Sequence, residues 1–207
     1  MPRPVSDIAF TDAVKARQAQ LGSRDAYAKQ IAGRDWQDRV TPDLAAFLAQ
    51  RDSFYLATVS SGGHPYIQHR GGPRGFLKVL DERTLAFADF AGNRQYISMG
   101  NLDGNDRVHL FLMDYANRQR IKLWGRAKVV EDDPELLQRL AEPGYRGRPE
   151  RAFVIAIEAW DINCPQHIPE LHAEQTIRTV TAKLTQRIAA LEAENAELKS
   201  WLGPNAP

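Results

Sequence analysis

The stretch AWDINCPQHIPEL, residues 159–171, carries the only cysteine of the chain, Cys164, with His167 three positions later. A thiolate beside an imidazole can be a nucleophile with its base, and C-x-x-H spacing can supply half of a metal site. Neither reading is complete here. No third group stands nearby to orient the imidazole, and no second ligand pair accompanies the first. Pro165 and Pro169 stiffen the segment, which makes an elbow the plain expectation.

Three other segments concentrate cations. HRGGPRGFLK, residues 69–78, sets Arg70, Arg74 and Lys78 among three glycines and a proline. Glycine lets backbone approach a ligand closely, and Arg and Lys are natural phosphate partners. FAGNRQYISMGNL, residues 90–102, predicts a strand end, a turn at Gly92 and a helix beginning near Asn93. Backbone N–H groups at a helix start beside Arg94 form an anion site. In NRQRIKLWG, residues 117–125, alternation places Arg118, Arg120 and Lys122 on one strand face. The sequence contains no GxxxxGK[ST], HExxH, CxxC or GxSxG, so it lacks the usual residues of nucleotide hydrolases, zinc proteases and α/β-hydrolases.

The elements that position these groups follow from periodicity. Residues 7 to about 50 favour helix, with Thr11 as a cap, Gly22 as a stop, a second piece from Arg24 to about Ala32, and a third opened by Thr41-Pro42-Asp43. From Ser53 short β-rich runs take over: SFYLATVS, HPYIQHR, GFLKVL, TLAFAD, RVHLFLMD, QRIKLWGRAKVVE and RAFVIAIEAWD. Only RQYISMGNL and PELLQRLAE interrupt them as helices. Strands adjacent in sequence without a helix between each pair predict an antiparallel sheet closing into a barrel, not a doubly wound fold. The expected organisation is a helical segment over 1–50, a barrel over 51–163, and an elbow with a helix over 164–207.

That last helix, predicted from Pro169 to Leu202, carries heptads. Ile177, Leu184, Leu191 and Leu198 fall at d; Thr181, Ile188, Asn195 and Leu202 fall at a. In a parallel pair Arg187 meets Glu192 and Glu194 meets Lys199, both attractive, and a lone Asn at a suits two strands. The alternative is a single amphipathic helix lying on its own barrel. Gly203-Pro204 ends the run.

Bulk composition narrows the class. At 43% hydrophobic and 26% charged residues the chain resembles an ordinary globular protein. A net charge of +1 gives no support to a nucleic-acid or membrane-surface role. A single cysteine precludes an intramolecular disulfide and fits a reducing compartment. No apolar run reaches the length of a membrane span, and MPRPVSDIAF does not read as a secretory signal. A cytoplasmic protein is expected.

The order of the cationic segments along this strand pattern resembles the pyridoxamine 5'-phosphate oxidase-like superfamily, the FMN-binding split β-barrels. The resemblance spans roughly residues 45–163 and includes FYLATVSSGGHPYIQHRGGPRGFLKVLD, TLAFADFAGNRQYISMGNLDGNDRVHLFLMD and RQRIKLWGRAKVV. It implies an α+β fold, mainly β, with FMN in each of two clefts between the subunits of a homodimer. By resemblance Lys78 closes the phosphate-binding strand, and either Arg70 or Arg74 supplies its arginine. Asn93, Arg94 and Gln95 match a phosphate-holding Ser-Arg-Lys, with one cation lost at Gln95. Arg120 matches a glutamine that bonds the flavin ring, where a cation would raise the reduction potential. Trp160 matches a tryptophan near the cofactor, although a core position at a strand end serves it equally well. Cys164, Gln166 and His167 are then expected to face the flavin as substrate contacts.

The resemblance implies an FMN-dependent oxidoreductase that exchanges hydride or electrons with a small molecule or a redox protein, with no catalytic side chain required. The chain lacks the Arg- and His-containing substrate loop and the Arg-Leu-x-Pro terminus of pyridoxamine phosphate oxidase proper, so vitamin B6 oxidation is not expected. Two other classes stay open. One is a binding module that uses the barrel for haem or deazaflavin, with His64, His69, His109, His167 and His172 as available ligands. The other is an interaction protein whose barrel anchors the coil.

Overall fold

The computed structural model of the chain describes residues 3–162 and 165–202. Cys164 and the Gly203-Pro204 stop lie outside the described residues. After a 3-10 turn at Val5–Ile8 come α1 (Asp12–Gln20), α2 (Arg24–Gly33) and α3 (Pro42–Leu48). The Thr11 hydroxyl accepts the Val14 N–H, and the Thr41 hydroxyl accepts the Leu44 N–H, with Pro42 in the first turn of α3. Both threonines thus cap the helices as the sequence predicts. Leu44 and Leu48 of α3 are buried in the main apolar core.

Seven strands follow: β1 (Ser53–Val59), β2 (Pro65–Gly71), β3 (Lys78–Val79), β4 (Thr84–Phe90), β5 (Arg107–Asp114), β6 (Gln119–Val130) and β7 (Pro149–Ile162). Their order is β2-β1-β5-β6-β7-β4-β3, and every pairing is antiparallel. Burial alternates along β1 and β5, as a sheet with one covered face requires. Phe54 of β1 and Phe87 of β4 stand four places apart in the strand order, yet their rings meet at 5.3 Å, and Phe87 stacks on Phe153 of β7 at 5.0 Å. Side chains so distant along the sheet can touch only if the sheet curls round on itself. Edge strands β2 and β3 are not hydrogen-bonded to each other, so the barrel is split there. The mainly β, α+β antiparallel split barrel read from the sequence is the fold observed.

The helices α4 (Ile97–Gly104) and α5 (Pro134–Leu140) occupy the two interruptions. Leu136 and Leu140 of α5 pack with Ala86, Ala88 and Ala152 on the outer face of β4 and β7. The first helix of this pair starts later than expected. Arg94 and Tyr96 have φ of 58° and 54°, a left-handed backbone that a right-handed helix cannot contain, so helix begins at Ile97 and not near Asn93. The strand predicted over GFLKVL is likewise reduced to Lys78–Val79, because Gly75 takes φ 76° and its N–H turns back to the Arg51 carbonyl.

The N-terminal helices share one compact unit with the sheet. Phe10, Tyr27 and Trp36 form an aromatic chain that continues through a stacked Trp36–Trp124 contact at 5.0 Å to His109 at 4.6 Å. The second unit holds the segment from Ile168 onward together with the turn Tyr115–Asn117. In it α6 runs over Glu174–Leu202, starting after the predicted Pro169. The Leu171 N–H bonds to the Tyr115 carbonyl, and the first helical bonds are those of Thr176 and Ile177 to Ala173. No helix among the described residues is long and apolar enough to cross a membrane.

Two consequences can be measured. The β6–β7 ladder shifts register between Trp124 and Gly125, and a Cβ on Gly125 would lie 2.4 Å from the Ala156 carbonyl oxygen. Gly125→Ala should therefore lower unfolding free energy by about 1–3 kcal/mol in urea titrations. His109 has its pKa held below 6.5 by burial first and by Lys122 second. A depressed histidine binds fewer protons folded than unfolded, so stability should fall as pH drops from about 6.5 toward the folded pKa. His109→Gln should flatten that part of a thermal-melt pH profile.

Candidate functional site

The cleft that opens at the split is built by β2, β4, the start of β7 and the turn into α4. Its volume is about 270 Å³, and its lining includes Gln68, Arg70, Asp89, Asn93, Arg94, Gln95, Tyr96, Glu150 and Arg151. At its floor Arg70 Nη1 donates to Asp89 Oδ1 at 2.6 Å, while Arg151 Nη1 donates to Asp89 Oδ2 at 3.1 Å. Asp89 and Arg151 face each other directly in the β4–β7 register. The three side chains are only 12–14% exposed. Arg70 also lies 4.9 Å from the Phe153 ring, adding a cation–π contact.

This setting acts differently on the two arginines. Burial pulls the Arg70 pKa below its ordinary value, and the Asp89 charge opposes the change. For Arg151 burial also acts downward, but the Asp89 hydrogen bond and the Asp89 and Glu150 charges outweigh it, and the net shift is upward. Arg70 Nε is buried with no hydrogen-bond partner among the described residues.

The turn above the floor presents polar groups outward. The Asn93 side chain accepts the Gln95 N–H at 3.3 Å, and the Tyr96 ring lies 5.3 Å from the Arg151 guanidinium. The Ser98 hydroxyl donates to Gln68 at 3.1 Å, and Asn101 Nδ2 donates to the Thr58 hydroxyl at 2.9 Å. These bonds pin α4 to β2 and β1. No side chain caps the helix start at Tyr96, and Ile97, Ser98 and Met99 of its first turn line the cleft, where the N–H groups of a helix start favour negative charge. Arg94 stands at the mouth with a 63% exposed side chain, 3.7 Å from Glu150, too far for a hydrogen bond. The lining thus sets three arginines against two carboxylates, with the most exposed cation at the entrance.

Of the residues singled out in the sequence, Arg70, Asn93, Arg94 and Gln95 meet in this cleft. Arg74 is exposed and bonds Gln50 at 3.4 Å. Lys78 is ion-paired with Glu142 and does not line the cleft. Arg120 lies opposite Met113 in the β5–β6 ladder. Arg118 has φ 49° in the turn before β6, so it is not on the strand face expected of it. Trp160 is buried in the main core and donates from Nε1 to the Arg39 carbonyl at 2.7 Å. Gln166 and His167 are exposed, His167 with φ 62°. Asp89, Glu150 and Arg151 were not read from the sequence. For Asp89 and Arg151 the signal, a charge inside an inward-facing strand pattern, becomes informative only when the β4–β7 register is known. Among the described residues no group of three His, Cys, Asp or Glu side chains could hold a metal.

Removing one partner of a buried charge network is costly. Asp89→Ala should reduce unfolding free energy by about 3–5 kcal/mol, whereas Arg94→Ala should leave it nearly unchanged, both read by urea denaturation.

Comparison with the curated proteins gives no match. Among solved structures, HupZ of Group A Streptococcus is similar at 18% identity and TM-score 0.49, over 64% of this chain and 99% of that one. An FMN-binding protein from Syntrophomonas wolfei is similar at 15% identity and TM-score 0.47, over 75% and 98%. An F420 reductase is similar at 19% identity and TM-score 0.43, over 59% and 98%. The family model described as pyridoxamine 5'-phosphate oxidase matches residues 40–164. That span takes in all seven strands, the turn into α4 and every residue of the cleft: the chain belongs to the pyridoxamine 5'-phosphate oxidase family.

Proposed function

We propose that the protein is a cytoplasmic, homodimeric flavoprotein oxidoreductase that holds FMN by its phosphate in the cleft before α4. The observation that carries this reading is the pairing of an exposed Arg94 at the mouth with a rigid Arg70–Asp89–Arg151 floor, inside the span that defines the family. A phosphate dianion fits this donor set. Arg94 has no hydrogen-bonded carboxylate to surrender, the uncapped helix start offers N–H groups, and Arg70 Nε lacks a partner. Bound FMN supplies hydride and electron transfer at its ring. The chain orients that group by its phosphate and contributes no acid or base to the reading.

The size of the cleft supports a dimer. At about 270 Å³ the cleft of one chain is smaller than the roughly 300–1,000 Å³ of pockets that enclose drug-sized ligands, which suits a reading in which a second subunit adds walls. The open sheet face suits that contact. Tyr55 and Ile67, on neighbouring strands β1 and β2, are 41% and 64% exposed, and Arg120 and Lys122 extend the same sheet along β6. In this reading Arg120 reaches the flavin ring across the interface, with a small molecule or an electron-carrier protein as the redox partner.

Purified protein supplied with FMN should show bound flavin absorption bands. Arg94→Ala should weaken FMN by about ten- to a hundredfold, the loss of one charge-assisted hydrogen bond, and leave riboflavin, which lacks the phosphate, unaffected. A colourless protein that refuses FMN, or a haem Soret band in its place, would overturn the proposal.

A further inference from the structure

The helix α6 is 29 residues long, and its apolar stripe is exposed along its whole described length. Ile177, Leu184, Ile188, Leu191 and Leu198 are each 41–58% exposed. An isolated helix of this kind has little tertiary packing to stabilise it. One ion pair, Glu174 to Arg178 at 2.6 Å, supports its first turn.

The geometry points to a second copy of the same helix as the occupant of this stripe: we propose that α6 pairs with α6 of another chain in a parallel, in-register, two-stranded coil. Three features of the seam select this occupant. Leucine at d in three heptads, with β-branched Thr181 and Ile188 at a, favours two strands. With parallel polarity and zero offset every g–e' charge pair is attractive: Arg187 faces Glu192 and Glu194 faces Lys199, each twice by symmetry. Asn195 at a then faces its own counterpart, and the two amides satisfy each other. A fully overlapped antiparallel pair would set Asn195 against Leu184, stranding a buried amide, and would bring Arg178 against Lys199.

Parallel polarity has a consequence for the cleft, and this step rests on the flavin reading above. In-register helices start side by side, so both barrels are tethered at the same end of the coil. Their mutual contact becomes intramolecular, at an effective concentration on the order of millimolar. The coil therefore holds the two half-clefts together when the protein is dilute.

The test is made in the full-length protein carrying Cys164→Ser. Ile188→Cys should form a disulfide-linked dimer on mild oxidation, because a positions face each other in a parallel coil. Ala193→Cys, at f on the opposite side, should not. Equal cross-linking of both, or none at Ile188→Cys, overturns the coil whatever the flavin result. A trimer by light scattering also overturns it. The double variant Leu184→Glu/Leu191→Glu, which keeps the barrel sequence intact, should raise the protein concentration at which half the flavin is released by at least about tenfold. Cross-linking at Ile188→Cys with flavin retention unchanged in the double variant keeps the coil and overturns its coupling to the cleft.

Discussion

The Arg70–Asp89–Arg151 network bridges the split in the barrel. The sheet has no backbone hydrogen bonds between its two edge strands, and a curled sheet with a free edge tends to open or to pair with another chain. One carboxylate on β4 binds an arginine from β2 on one side and an arginine from β7 on the other. Phe87 and Phe153 shield the junction, so the ion pairs act in a low-dielectric setting. Burial makes them intolerant of losing a member.

The same junction sets the turn above it. Tyr96 adopts a left-handed backbone and lays its ring by Arg151. A left-handed tyrosine costs about 1–2 kcal/mol, a strain sustained only where surrounding contacts over-determine it. Those contacts are Arg151 below and the Ser98–Gln68 and Asn101–Thr58 bonds that fix α4 behind. Arg94, two residues earlier and also left-handed, is thereby directed outward to the mouth. Strand register brings Asp89 to Arg151, and Arg151 in turn holds the Tyr96 turn that carries Arg94.

Much of this was legible in the sequence. Period-two alternation gave the strands, capping threonines gave the starts of α1 and α3, and the absence of crossover helices gave the antiparallel barrel. Arg94 was singled out because a Gly-Asn-Arg turn before a helix is a local signal, and Asn93 and Gln95 through the family resemblance; all three line the cleft. Asp89 and Arg151 were not, since they lie 62 residues apart and meet only through strand register, which no local pattern encodes. The late start of α4 was missed for a related reason: nothing in RQY announces left-handed backbone, which is imposed by tertiary contacts. Lys78 reads as a phosphate ligand by position, yet Glu142, which follows α5, competes for its ammonium.

A carboxylate at the floor of the proposed phosphate site looks like a defect, but it solves an ordering problem. Free arginine side chains are flexible, and fixing each one on a ligand costs about 2 kcal/mol in rotamer entropy. Asp89 removes that cost from the binding step by fixing Arg70 and Arg151 when the chain folds. It also cancels charge that would otherwise repel across β2, β4 and β7 and open the split. Asp89 leaves one net positive charge on the floor, and Glu150, which accepts from Arg151 at 3.2 Å, offsets that too, so most of the attraction for an anion must come from elsewhere. Arg94 is the group placed to supply it: exposed, held on a rigid turn, and 3.7 Å from the nearest carboxylate. In the proposed reading Arg70 and Arg151 chiefly hold the barrel and Arg94 chiefly meets the anion, so the entrance can change without unfolding the barrel.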